Sequence, residues 1–168
     1  MTGGLLGILP SVAILGIAAL VAVFLTIGRA WAAESQIRLP GAVHVAMVAV
    51  ACQVGRFTEE LLTGFHARFP ALFGLAPMSL GFFVSFNVAW LVVWSLSAWG
   101  VAAHRRAALF PLWFLGIGCA LNGVAHPALS VLAGGYFPGL VTSPVVGLVG
   151  VVLLRRLLDV TQVDVGPA

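Results

Sequence analysis

The sequence predicts an all-α fold, a polytopic membrane helix bundle of about five transmembrane helices with its N-terminus outside. Three observations carry that prediction. The 168 residues are 61% hydrophobic and only 8% charged, with a mean hydropathy of +1.13, which is more apolar surface than one soluble core of this length can bury. The apolar residues fall into five continuous runs, each near the roughly 20 residues that a helix needs to cross about 30 Å of hydrocarbon. The arginines sit toward the edges of those runs instead of forming one patch. The runs also lack the strict alternation of a lipid-facing barrel wall, which argues against strands.

The elements follow in order, within a single transmembrane domain spanning 1–168. The first helix is expected over 5–28. Ala30-Trp31-Ala32 resembles a cleavage site, but no positive charge precedes the run and the run is longer than the usual apolar region of a signal peptide, about 7–15 residues. It is read as a true span. The others are expected over 41–62, 80–103, 111–133 and 137–158, and a short polar tail, 159–168, closes the chain. Cys52 and Cys119 both lie inside apolar runs and are expected as free thiols.

Orientation comes from charge. There is no lysine, and with the N-terminus outside, the inner segments carry Arg29, Arg38, Arg105, Arg106, Arg155 and Arg156, while the outer loops carry only Arg68. Trp31, Trp99 and Trp113 then share one depth, as an inner aromatic belt would. Because the arginines are dispersed over loops, they do not make a nucleic-acid-binding patch. Membrane lipid is the expected partner, with a lipid-soluble small molecule as the expected ligand. The sequence sets no oligomeric state.

Against this apolar background the stretch QVGRFTEELLTGF, 53–65, stands out. Arg56, Glu59 and Glu60 are spaced i, i+3, i+4 and share a helix face that continues inward through Gln53. Asn87, Asn122 and His126 are expected at similar depth in the third and fourth helices, with Asn122 and His126 at i, i+4. Pro127 leaves the carbonyl of Gly123 without its helical donor beside that histidine. Charged groups at membrane depth cost several kcal/mol on most scales unless they are compensated, so these faces are expected to meet in the bundle interior.

The segments RFTEELLTGF, then Asn87, then NGVAHPALSVLAGGYFPGLVTS from Asn122 to Ser143, resemble the HXXEE family of small bacterial membrane proteins. The resemblance covers roughly 45–155, and Tyr136, Pro138 and Gly139 match it in order and spacing. It implies a multi-helix fold in a bacterial inner membrane, and no established reaction. The chain departs from the family at its name, because Arg56 stands where the motif has histidine. Arginine stays protonated and has no lone pair, so it can neither ligate a metal nor pass a proton. No metal site and no cofactor are expected. Arg56 is read instead as the partner of one glutamate, dividing the pair into a fixed anion and a proton carrier.

The favoured function is a membrane-embedded enzyme performing acid–base chemistry on an isoprenoid, sterol-like or fatty substrate in the outer half of the bilayer. Glu59, Glu60 and His126 are the candidate catalytic residues; Arg56, Asn87, Asn122 and Tyr136 bind or orient the substrate. No G-x-S-x-G nucleophile motif is present. Two alternatives stay open. One is a small proton-coupled transporter, for which His44 is the other titratable group within a span. The second is a non-catalytic assembly subunit, associating through small residues such as Gly116 with Ala120, or Gly147 with Val151 and Gly150 nearby.

Overall fold

A computed structural model describes residues 9–164; the expected start of the first span at 5–8 and the last four residues lie outside that range. Among the described residues there are six helices: α1 (Leu9–Ile27), α2 (Ser35–Leu62), α3 (Phe65–Ala71), α4 (Leu80–Ala102), α5 (Leu109–Leu132) and α6 (Ser143–Val160). A ribbon of β1 (Arg29–Trp31) and β2 (Thr161–Val163), antiparallel, completes the fold. Three of the helical segments, Ser35–Leu62, Leu80–Ala102 and Arg106–Leu132, are long and apolar enough to cross a membrane. Their outward faces agree with that environment. On α4, Phe86, Val88, Val92, Leu96 and Trp99 are all exposed, an apolar surface suited to hydrocarbon and not to water.

The helix α5 is central, packing along α6 most extensively and also against α1 and α4, while α2 packs on α6 and α4. Glycine permits the closest of these approaches. A Cβ added to Gly123 would stand 2.7 Å from the Cα of Gly147, and one added to Gly150 would stand 2.5 Å from the Cβ of Cys119. The backbones of α5 and α6 therefore touch, which in a membrane replaces the missing hydrophobic drive with dispersion. Gly147 and Gly150 are thus spent within the chain. Cys52 and Cys119 are both free thiols.

The element boundaries differ from the expected ones for local reasons. Gly134, at φ 70°, ends α5, and the Gly135 amide reaches back to the carbonyl of Ser130 at 3.0 Å. Residues 134–142 consequently form a loop, and the fifth long helix starts at Ser143, where Pro144 occupies the first turn. The start of α2, at Ser35, precedes its apolar run, and the helix carries Pro40 inside it, where the ring removes the donor that would meet the Gln36 carbonyl. The short α3 and the ribbon carry no apolar run and were not expected. The anticipated belt also changes membership. Trp99 is exposed and Trp31 packs on His104 at 5.4 Å between ring centroids, but Trp113 is a core residue.

Two ends result. At one, Arg29 bonds the side chain and carbonyl of Thr161, both at 2.8 Å, and Arg106 bonds the Ile27 carbonyl at 2.8 Å and Asp164 at 3.1 Å. The other end carries α3, Arg68 and the 134–142 loop.

Candidate functional site

The last turns of α2 present Gln53, Arg56 and Glu60 on one face. Arg56 Nε donates to Gln53 Oε1 at 2.7 Å, and its Nη1 donates to Glu60 Oε1 at 2.5 Å. Glu60 is only 1% exposed, so this ion pair sits inside the bundle. From α5, His126, 2% exposed, brings Nε2 to 3.3 Å from both Arg56 Nη1 and Glu60 Oε1. Its other nitrogen settles the tautomer. Nδ1 lies 2.6 Å from the carbonyl oxygen of Pro138, which can only accept, so Nδ1 carries a proton; the guanidinium 3.3 Å from Nε2 is a donor and a cation, which favours a lone pair on that second nitrogen.

The ring is held by its surroundings. Phe65 of α3 packs on it at 5.8 Å between centroids and Phe137 at 6.4 Å. Gly139 has φ 88°, and a Cβ there would stand 2.5 Å from Cε1 and Nδ1 of the imidazole, so only glycine fits.

Glu59, one residue away, points elsewhere. Consecutive helical residues differ in direction by about 100°. Its Oε1 accepts from the Tyr136 hydroxyl at 2.7 Å and the Val141 amide at 3.0 Å; its Oε2 accepts from the Thr142 amide at 2.9 Å and the Thr142 hydroxyl at 2.6 Å. Four donors saturate this carboxylate and tie the 134–142 loop to α2. Burial, and then the hydrogen bond it donates to Glu59, raise the Tyr136 phenol above its ordinary 10.0. Arg68 adds a bond to the Tyr136 carbonyl at 2.9 Å. The loop so fixed is the one that supplies the Pro138 carbonyl to His126.

A cavity of about 180 Å³ opens beside the buried network. Its polar wall is Gln53, Arg56, Glu60, Asn87, Asn122 and His126, with Ser11 of α1 as a further polar residue; the remainder is apolar, with Phe65, Phe83, Phe86, Trp90 and Trp94 among the lining. Asn87 Nδ2 donates to the Phe83 carbonyl at 2.9 Å, which leaves its oxygen without a partner among the described residues. The Asn122 amide and Glu60 Oε2 likewise take no hydrogen bond from the described residues. The cavity therefore gathers Arg56, Glu60, Asn87, Asn122 and His126. Glu59 and Tyr136 do not line it.

Gln53, Thr142, Pro138 and Phe65 belong to this arrangement without having been candidates. The helix face through Gln53 was a usable signal. A backbone carbonyl such as that of Pro138 has none, since any residue could supply it. Among the described residues no group of three or more His, Cys, Asp or Glu could hold a metal ion. Comparison of the chain with protein-family models, with curated proteins and with solved structures finds no match.

Proposed function

We propose that the protein is an integral membrane enzyme that performs proton-transfer chemistry on a lipid-soluble substrate, with Glu60 as the acid–base group and His126 as its proton partner. One observation carries the reading: a buried Arg56–Glu60–His126 cluster forms part of the polar wall of a largely apolar cavity. Structural ion pairs need no cavity, and a buried charge that faces one is more economically explained by a ligand. In this scheme Arg56 holds Oε1 of Glu60 and leaves Oε2 to meet the substrate. His126 Nε2, 3.3 Å from Oε1, takes or returns the proton. Asn87 and Asn122 orient the substrate. Glu59 is a positioning residue, acting through the loop that holds His126. The same proposal includes five spans, an N-terminus outside, a bacterial inner membrane and membership of the HXXEE family with Arg56 in place of the motif histidine.

The transporter alternative has less support. Inward of Gln53 the buried face of α2 continues as Val50, Ala49 and Ala46, and His44 is exposed on a separate groove with Gln36 and His104. Between the two, α2 offers the apolar stretch from Val45 to Ala51.

Lipids retained by the purified protein, identified by mass spectrometry and then incubated with it, test the enzyme reading. Wild type should convert a retained compound, and Glu60→Gln should retain it unconverted. Equal conversion by both proteins would exclude Glu60 as the acid–base group.

A further inference from the structure

The cavity has a side entrance. α1 packs along α5, and α4 packs along α2 and α5, but among the described residues α1 and α4 do not pack comparably on each other. At that gap, residues of both helices line the cavity and yet lie open to the outside, from 38% exposed at Phe86 to 52% at Val12, with Ile14 and Phe82 between them. These positions are apolar, and in the membrane setting proposed above they would meet hydrocarbon. The volume of about 180 Å³ is below the roughly 300–1,000 Å³ that encloses a whole drug-sized ligand. It takes a head and the first part of a chain. The rest stays in the bilayer, through the gap.

The wall also fixes what kind of head can enter. Arg56 and Glu60 cancel each other, and the Arg56 guanidinium 3.3 Å from His126 Nε2 opposes a second proton on that ring, so the polar wall carries no net charge. An anionic or cationic head would be brought out of water with no opposite charge to meet it. What the wall does offer is hydrogen-bonding groups without partners among the described residues: the Asn122 amide, the Asn87 oxygen and Glu60 Oε2, donors and acceptors together.

The geometry points to a substrate with a single uncharged oxygen head, an alcohol or carbonyl on a long apolar chain, that enters sideways from the bilayer between α1 and α4 and leaves its tail in the gap. This inference rests on the proposed enzyme reading and specifies its substrate class and route.

Photolabelling of the full chain in lipid nanodiscs tests it, using a long-chain alcohol with a diazirine close to its head, the matching fatty acid and the matching amine. The alcohol should label peptides of α1 around Ile14 and of α4 around Phe86, saturably, with the acid and the amine each weaker by about tenfold or more. Asn122→Ala should weaken alcohol labelling by about fivefold, the loss of one hydrogen bond. Glu60→Gln leaves Arg56 uncompensated and should move the preference to the acid; Arg56→Gln should move it to the amine. A merely structural pair would shift neither, and the two variants cover each other if one fails to fold. Label spread evenly over the lipid-facing helices, an acid or amine that equals the alcohol on wild type, or preferences unmoved by both variants would overturn the inference. Site-specific alcohol labelling without turnover of any retained lipid would remove the enzyme reading and leave the site. Turnover of a charged-head lipid would do the reverse.

Discussion

His126 Nδ1 and the carbonyl oxygen of Pro138 lie 2.6 Å apart, and that bond, contributed by a loop, decides which nitrogen of the histidine faces the buried ion pair. The loop is in turn fastened by Glu59. Two adjacent glutamates on α2 therefore serve one histidine from different directions, Glu60 by contact and Glu59 through 134–142.

Loss of the Glu59 clamp should be costly whichever way it is made. Glu59→Ala orphans four donors and is expected to destabilise by on the order of 3 kcal/mol. Glu59→Gln should be nearly as harmful, because its amide nitrogen would face two of those donors instead of accepting from them. Thermal unfolding in one detergent measures both. A Glu59→Gln protein as stable as wild type would show that the clamp contributes little.

Stability should also fall at alkaline pH through Tyr136. Its phenol is raised in the folded state, so the protonated form is favoured there; the stabilisation is full below the ordinary phenol range and is lost as pH climbs from 10.0 through the raised value. Unfolding midpoints of wild type and Tyr136→Phe across this range should converge as pH rises. Parallel profiles would mean that Tyr136 is not the source.

The buried ion pair should show strong coupling. Arg56→Ala strands the Glu60 carboxylate and is expected to cost about 3–5 kcal/mol, whereas Arg56→Ala combined with Glu60→Gln should recover a large part of it. Glu60→Gln alone should remain folded, since the amide oxygen still accepts from Arg56. Additive losses in the double variant would show that the two groups act independently.

Gly139→Ala is expected to disturb the histidine directly. The added methyl needs a positive φ, costing on the order of 1–3 kcal/mol, and it meets the imidazole as well. Histidine ring NMR signals should shift more than those of the distant His44 ring. Unchanged His126 resonances would place the loop farther from the ring than described.

Topology can be checked with reporter fusions. Placed after Arg106 and after Ala168, both should report cytoplasm, as the arginine distribution requires. A periplasmic signal from either would invert the bundle and move the cavity to the other leaflet.

The apolar runs made the long helices legible, because segment length and hydropathy are local quantities. The convergence of Arg56, Asn87, Asn122 and His126 was legible for a similar reason, since helical spacing fixes shared faces. What escaped has non-local causes. The apolar stretch FPGLV, 137–141, extends the expected last helix too far toward the N-terminus; the loop exists through Gly134, Gly139 and the distant Glu59. Trp113 was read as a belt residue from its depth along the helix, and depth says nothing about which side of α5 faces inward.

The ribbon has a consequence for how the molecule is made. β1 joins the first two long helices, yet its partner β2 follows the last, and the Arg29–Thr161 bond spans 132 positions of sequence. During synthesis β1 has no strand partner until α6 has been made and β2 emerges. Closure of this end is thus a final latch, and a ribosome that stalls before Thr161 leaves it open.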